Sequence, residues 1–284
     1  MKTNELFKDK TTLSFEVFPP KSDTPIESIY NTIDGLAPLK PDFISVTYGA
    51  GGNGSNATIG ICGMIKEKYG IEPVAHLACI NLTREKVLSE LTEMKAAGIE
   101  NILALRGDIN PDIPPHEDFH YASELIRLIK EQGDFNIIGA CYPECHPEAG
   151  SMVEDIKHLR EKVDAGCTQL ISQLFFDNED FYAFREKAAI AGINVPIEAG
   201  IMPVTNPKTI ARMATLCHAR LPKKFLTIMS KYENDPVSMR EAGIAYAVSQ
   251  IVDLIANDVD GIHLYTMNNP YIATKICDAV KTLF

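Results

Sequence analysis

Apolar side chains arrive in this chain in two alternating rhythms. Short runs rich in β-branched and aromatic residues, each the length of a strand, alternate with longer stretches in which apolar positions return at helical spacing. The runs are LSFEVF (13–18), FISVTY (43–48), PVAHLAC (73–79), ILALR (102–106), NIIGACY (136–142), QLISQLFF (169–176), PIEAGIM (196–202) and GIHLYTM (261–267). Among the stretches between them, TREKVLSELTEMKAAG (83–98) places Val87, Leu88, Leu91 and Met94 on one helical stripe, with Gly98 able to end the helix. The junction of helix, glycine and strand recurs in MKAAGIENILAL, KVDAGCTQLISQ, AAIAGINVPIEA and DVDGIHLYTM. Most strands follow one another at about 30 residues, the length of a βαβ unit. Eight such units predict a (β/α)8 TIM barrel, with an open doubly wound sheet as the alternative. The longer step from 202 to 261 holds two or more helices, including REAGIAYAVSQIVDLIAND (240–258), and reads as an elaborated last crossover.

Composition narrows the class. The 284 residues are 45% hydrophobic and 23% charged, the balance of a globular protein able to build a core without staples. No low-complexity linker divides them, so residues 1–284 read as a single domain. Lys and Arg number 27 against 38 Asp and Glu, a net charge of -11, which leaves no broad basic face for nucleic acid or an anionic membrane. An anionic ligand must then be held by a few local cations, helix N-termini or backbone amides. The seven cysteines lie mostly inside apolar runs and read as reduced core thiols of a cytoplasmic protein. Cys141 and Cys145 are close in sequence but lack the pair-and-pair spacing of a structural zinc site. No signal-peptide h-region and no membrane-length apolar run is present, so neither secretion nor membrane insertion is expected.

In a barrel of this kind the chemistry sits at the C-terminal ends of the strands, so the residues that finish each run are the candidates. Alternation in LSFEVF puts Ser14, Glu16 and Phe18 on one face and Phe15 and Val17 on the other. A carboxylate inside a parallel strand is costly unless it is used or paired, and one that burial keeps protonated is a general acid near neutral pH. The alternative is a structural pair with Lys or Arg. Arg106-Gly107-Asp108 ends the fourth run: the glycine lets backbone approach a ligand, Arg suits a pyrophosphate and Asp a cation or polarised ring. Equally, the two charges can close the loop as an ion pair. The loop Tyr48-Gly49-Ala50-Gly51-Gly52 is glycine-rich, but neither GxGxxG nor GxxxxGK[ST] occurs, so on pattern alone it is a tight connection. His76 by the same reasoning is a core histidine. Tyr142, Glu144 and His146 follow the fifth run, and Asp155 and Lys162 lie on the next helix, either near a ligand or on a solvated face. Neither HExxH nor a Ser/His/Asp order is apparent; His76, Asp108 and His146 can be imagined as a metal set, but no metal is expected.

Taken together, SFEVFPPK (14–21), SVTYGAGG (45–52), LRGD (105–108), YPECHPE (142–148), KVDAG (162–166), QLFFD (173–177), GIMPVTN (200–206) and YTMN (265–268) resemble methylenetetrahydrofolate reductase, in that family's order and over nearly the whole chain. The resemblance implies non-covalent FAD at the C-terminal mouth of a barrel without a Rossmann motif. It implies ping-pong transfer of hydride from NADH or NADPH through FAD to 5,10-methylenetetrahydrofolate, giving 5-methyltetrahydrofolate for one-carbon and methionine metabolism. By resemblance, Glu16 matches the general acid that opens the folate's imidazolidine ring to an iminium ion, and Asp108 the acid beside flavin and pterin. Thr47, Tyr48, Ala50, His76, Arg106, Gly107, Asp108, Tyr121, Ala122, Tyr142, His146, Ala149, Asp155 and Lys162 match flavin-contacting positions, with Arg106 and Lys162 bringing positive charge to the pyrophosphate. This reverses the pattern reading of His76 and the glycine loop.

Gln173 matches a substrate-contacting glutamine. Thr209 and Met213 stand where the better-known bacterial pattern has Gln and Phe, and Asn269 where it has Arg; Thr209 and Asn269 are taken as substrate-binding. A homo-oligomer is expected, and an electron-donor partner protein is a further expected partner. Within its length, the chain is expected to lack the S-adenosylmethionine-binding regulatory domain of eukaryotic relatives. The rival readings are a related flavin barrel that oxidises an amino acid such as proline, a Schiff-base aldolase barrel, for which no strand end offers a buried Lys, and an idle subunit that binds flavin or a partner for electron relay.

Overall fold

Strands that are apolar on both faces must be covered on both, and the chain does so by closing its sheet into a barrel and wrapping it in helices. The structure is a computed structural model that describes residues 1–49, 54–109, 116–206, 213–215 and 217–284. Its strands are β1 (Thr12–Val17), β2 (Phe43–Val46), β3 (Glu72–Ala78), β4 (Asn101–Leu105), β5 (Asn136–Cys141), β6 (Gln169–Ser172), β7 (Ile197–Ile201) and β8 (Gly261–Tyr265). They pair in sequence order, all parallel, and β8 returns to β1, so the (β/α)8 barrel is closed and the open sheet is ruled out. Outside lie α1 (Glu27–Leu36), α2 (Gly54–Met64), α3 (Arg84–Ala96), α4 (Ala122–Gln132), α5 (Met152–Ala165), α6 (Asn178–Ile190), α7 (Lys223–Tyr232), α8 (Pro236–Ala256) and α9 (Pro270–Val280). Helices α7 and α8 fill the long step before β8. Among the described residues no helix is long and apolar enough to cross a membrane.

The local rules are visible in α3. Thr83 caps it by accepting the Lys86 amide at 3.2 Å, Val87, Leu91 and Met94 are buried, and Gly98 turns the chain away with φ 69°. Of the predicted runs, QLISQLFF overshoots its strand the most, leaving the sheet after Ser172. There the Gln173 side-chain oxygen accepts the amide of Leu174 at 2.8 Å, a local bond that competes with the ladder. Leu174 and Phe176 instead join Met202, Val204, Phe225, Met229 and Met239 in a separate apolar cluster beneath the last crossover.

Inside the barrel, alternation does what it predicts. Phe15 and Val17 face outward into the helix layer and are fully buried, while Ser14 and Glu16 face in, level with Phe43 and Ser45 of β2 and with His263 and Tyr265 of β8. The interior has two characters. Phe43, Val74, Leu103, Ile138 and Ile171 form an apolar cluster against which Leu6 packs, from the short 3-10 turn at Thr3–Lys8. The other part is polar and hydrogen-bonded. Asn136 Nδ2 donates to Thr3 Oγ1 (2.9 Å) and Asn101 Oδ1 (3.1 Å), Thr3 Oγ1 donates to Gln169 Oε1 (2.7 Å), and Gln169 Nε2 donates to Glu198 Oε2 (3.0 Å). Buried polar groups are tolerable on these terms, each with its partner.

Candidate active site

Three strands bring their side chains together at the C-terminal mouth. Glu16 of β1 points inward with its side chain 20% exposed, and Oε2 lies 3.6 Å from His76 Nε2 of β3 and 3.6 Å from His263 Nε2 of β8. The neighbours of this carboxyl are thus two imidazoles, not the Lys or Arg of the structural alternative. Burial pulls His76 down to about 4, so it is neutral at physiological pH, and its Nε2 is buried with no hydrogen-bond partner among the described residues. Tyr265 sets its ring edge against His263 at 5.4 Å, and its hydroxyl donates to the Ser172 carbonyl at 2.8 Å. Burial pushes that phenol well up, so it stays protonated. Room for the ring comes from Gly200, where a Cβ would stand 2.2 Å from the Ser172 carbonyl and 2.9 Å from the Tyr265 ring.

Across the mouth, β4 ends in Arg106-Gly107-Asp108. Gly107 has φ 91°, a conformation that glycine adopts without strain, and a Cβ there would press on Ile80 and Ala78. Arg106 does form an ion pair, but not the one with Asp108 that the sequence left open: its fork meets both oxygens of Glu148, at 2.6 Å each. That bidentate pair raises the guanidinium further and draws the Glu148 carboxyl down. Glu148 reaches the fork from the segment after β5, whereas Asp108 is only two residues from Arg106 along the chain. Asp108 is exposed on the rim, and its charge is felt by Tyr142, Arg106 and Cys217.

The segment after β5 folds on itself. Tyr142 meets the His146 ring edge-on at 4.6 Å, the His146 amide donates to Asp155 Oδ2 at 2.9 Å, and the Ala149 amide donates to the His146 carbonyl at 2.9 Å. Lys162 donates its ammonium to the Ala140 carbonyl at 2.9 Å, and burial lowers its proton affinity. At the end of β2, Thr47 Oγ1 is buried with no partner among the described residues, and Tyr48 donates to Glu90 Oε1 at 3.1 Å. Tyr121 is exposed on the outer rim at the start of α4, its ring 6.3 Å from that of His158, and Ala122 beside it is buried.

Among the positions assigned to flavin by resemblance, Thr47, Tyr48, His76, Arg106, Gly107, Asp108, Tyr142, His146, Ala149, Asp155 and Lys162 therefore lie at strand ends or on the elements that follow them at one mouth. Ala50 and Thr209 lie outside the described residues. Gln173 is at the rim with its side-chain oxygen turned to the Leu174 amide. Asn269 caps α9, accepting the Ile272 amide at 3.3 Å, and Met213 packs with the apolar cluster under the last crossover. Sequence reasoning missed His263, although it shares the inward parity of Tyr265 two residues on. It also missed Glu148 as the partner of Arg106, and gave no role to Asn268 of the YTMN motif, whose amide clamps the end of β1 by accepting the Phe18 amide (3.0 Å) and donating to its carbonyl (2.8 Å). Two cations, two unpartnered buried polar atoms and a backbone opened by Gly107 suit a large anionic, partly aromatic ligand.

The methylenetetrahydrofolate reductase family profile matches residues 2–281. The chain is 39% identical over 265 residues to the 5,10-methylenetetrahydrofolate reductase of Pectobacterium carotovorum subsp. carotovorum, a match covering 93% of this chain and 88% of that one. The enzyme of the same name from Escherichia coli (strain K12) is 38% identical, covering 93% and 89%. Methylenetetrahydrofolate reductase (NADH) 1 of Arabidopsis thaliana is 33% identical over 279 residues, covering 91% of this chain and 46% of its own. Among solved structures, a Clostridium thermocellum protein described as binding two copies of 5-methyl-5,6,7,8-tetrahydrofolic acid has a TM-score of 0.68 at 13% identity, covering 98% of this chain and 96% of that one. At that identity the likeness is one of fold.

Proposed function

From the premise that this chain belongs to the methylenetetrahydrofolate reductase family, an oxidoreductase family, we propose that it reduces 5,10-methylenetetrahydrofolate to 5-methyltetrahydrofolate by ping-pong transfer through non-covalent FAD. NADH is the first reductant to test, since the Arabidopsis relative is named for it. Bound FAD supplies the relay of hydride from nicotinamide to folate. The protein's own groups do the rest. Arg106 would hold a phosphate of the cofactor in place of Glu148, since its fork can meet two oxygens of either anion. Lys162 adds positive potential behind it, and Thr47 Oγ1 and His76 Nε2 are polar atoms open to a partner. Tyr142 and His146 wall the mouth on the β5 side.

Glu16 gives its proton to a ring nitrogen of the folate, which opens the five-membered ring to a cationic iminium carbon ready for hydride. Asp108 places a negative charge by that cation and lowers the barrier to forming it. Gln173 rotates from the Leu174 amide to meet the pterin, offering both a donor and an acceptor. The observation that carries this reading is the inward Glu16 carboxyl at the mouth, facing two imidazoles with no Lys or Arg among its described ion-pair partners. The fold likeness to a protein described as binding a methylated tetrahydrofolate supports a folate as the ligand. Seven unpaired cysteines, five of them buried, fit a cytoplasmic enzyme.

The purified protein should be yellow, bleach anaerobically with NADH or NADPH, and recover its colour on adding methylenetetrahydrofolate. Glu16→Gln should keep the reductive half-reaction and slow the folate half-reaction by several orders of magnitude in stopped flow. A colourless protein, or equal loss in both halves, overturns the assignment.

A further inference from the structure

Beneath Glu16 lies a row of buried groups that the proposed chemistry does not use. Glu198 of β7 is fully buried and accepts three hydrogen bonds, from Thr12 Oγ1 and Ser14 Oγ on one oxygen (2.9 Å each) and from Gln169 Nε2 on the other (3.0 Å). Burial pushes its carboxyl up, while His263 and the three donors pull toward the charged form. Ser14 has one proton and three possible acceptors in reach, His263 Nδ1 at 2.7 Å, Glu198 at 2.9 Å and the Ile262 carbonyl at 3.4 Å. The carboxylate, the one charged acceptor of the three, takes the proton.

With its proton committed, Ser14 Oγ can only accept from His263, so the 2.7 Å contact with Nδ1 is an Nδ1–H donor, a tautomer assigned from the network. A neutral imidazole carries one N–H, which leaves Nε2 as a bare lone pair. That lone pair faces Glu16 Oε2 at 3.6 Å and Ser45 Oγ at 3.5 Å. The ring cannot swing away: His263 is fully buried, stacked on Phe43 at 6.2 Å and met edge-on by Tyr265.

We propose that Glu198, Ser14 and His263 form a positioning column for Glu16: the buried carboxylate sets the tautomer of His263, whose Nε2 then faces Glu16 as an acceptor and holds the Glu16 proton at Oε2. The inference rests on the proposed role of Glu16 as proton donor. It goes further in naming what keeps that donor loaded, and why β7 carries a carboxylate where an apolar side chain would cost less. The other groups around Glu16 do not supply this. His76 from β3 stands at the same 3.6 Å from Glu16 Oε2, but no hydrogen bond among the described residues fixes which of its nitrogens is bare; Tyr265 from β8 spends its proton on Ser172, and Ser45 from β2 touches His263 rather than Glu16.

The test uses the full-length holoenzyme with nitrogen-15-labelled histidine. Long-range proton–nitrogen spectra at neutral pH should show His263 protonated at Nδ1 and bare at Nε2. In Glu198→Gln, and independently in Ser14→Ala, that signature should be lost, the folate half-reaction should fall tenfold or more relative to the nicotinamide half-reaction, and the alkaline limb of its pH profile should move to lower pH. A wild-type His263 protonated at Nε2 overturns the column, and this readout survives if both variants fold poorly. So does an equal fall in the two half-reactions, or an unmoved pH limb. Glu16→Gln separates the two ideas. If it blocks the folate step while Glu198→Gln and Ser14→Ala do not, the column fails and the role of Glu16 stands; if it leaves the folate step intact, the role of Glu16 fails, whatever tautomer His263 shows.

Discussion

His76 is neutral in the folded protein, held near 4 against an ordinary 6.5, and that difference makes the fold sensitive to acid. Between those two values the unfolded chain binds a proton that the folded chain refuses, so stability is untouched above 6.5 and falls as the pH drops toward 4. From pH 7 to pH 5 the loss from this group is about 2 kcal/mol. His76→Gln should flatten that slope in urea midpoints taken at the two pH values; an unchanged slope would mean another group is responsible. Arg106 and Glu148 give a second prediction, in opposite directions from one ion pair. Arg106→Lys keeps the charge but loses the fork, and FAD affinity should drop by about tenfold, near 1.4 kcal/mol. Glu148→Gln removes the competing anion and should tighten FAD, read by flavin fluorescence on the apoprotein. Weakening in both variants would mean that Glu148 holds Arg106 in place for the cofactor.

Two helical glycines should respond to the same substitution with opposite signs, which separates propensity from packing at the scale of the element. Gly60 in α2 is exposed, with nothing within 4 Å of a built Cβ, so Gly60→Ala should stabilise by about 0.5–1 kcal/mol through the entropy of the unfolded chain. Gly243 in α8 brings the helix against the chain after β7, where a Cβ would lie 1.6 Å from the Val204 carbonyl oxygen. Gly243→Ala must push α8 off that segment, and a loss of about 1–3 kcal/mol is expected in chemical denaturation. A helix-forming pattern says nothing of that difference. Each of the eight strands starts within one residue of its apolar run, because period and β-branched content are local properties. The end of β6 was not legible, since what stops it is a side chain turning back on the next amide, which leaves the apolar pattern of Leu174 to Phe176 unchanged.

Across the whole molecule the barrel separates the end that carries chemistry from the end that carries stability. Thr3 plugs the N-terminal end: fully buried, it donates to Gln169 and accepts from Asn136, and its own amide donates to Asn101 at 2.8 Å. Thr3→Val keeps the shape and orphans two buried polar groups, at a cost of about 1–3 kcal/mol for each left unsatisfied. Urea unfolding should show the loss while flavin affinity, set at the opposite mouth, stays as it was. A matching drop in flavin affinity would show that the polar interior couples the two ends.

By itself the sequence determined the order of the elements, the inward parity of Glu16, and the motifs that place the chain in its family, because each depends on residues close together along the chain. The tertiary structure decided the partners. Glu16, His76 and His263 come from the first, third and eighth strands, and they meet because closing the barrel fixes the register, with Glu16 level with Ser45 on one side and Tyr265 on the other. The exchange of Asp108 for Glu148 at Arg106, and the line from Glu198 through Ser14 to His263, have the same origin. No spacing along a chain encodes which side chains a closed sheet will set face to face.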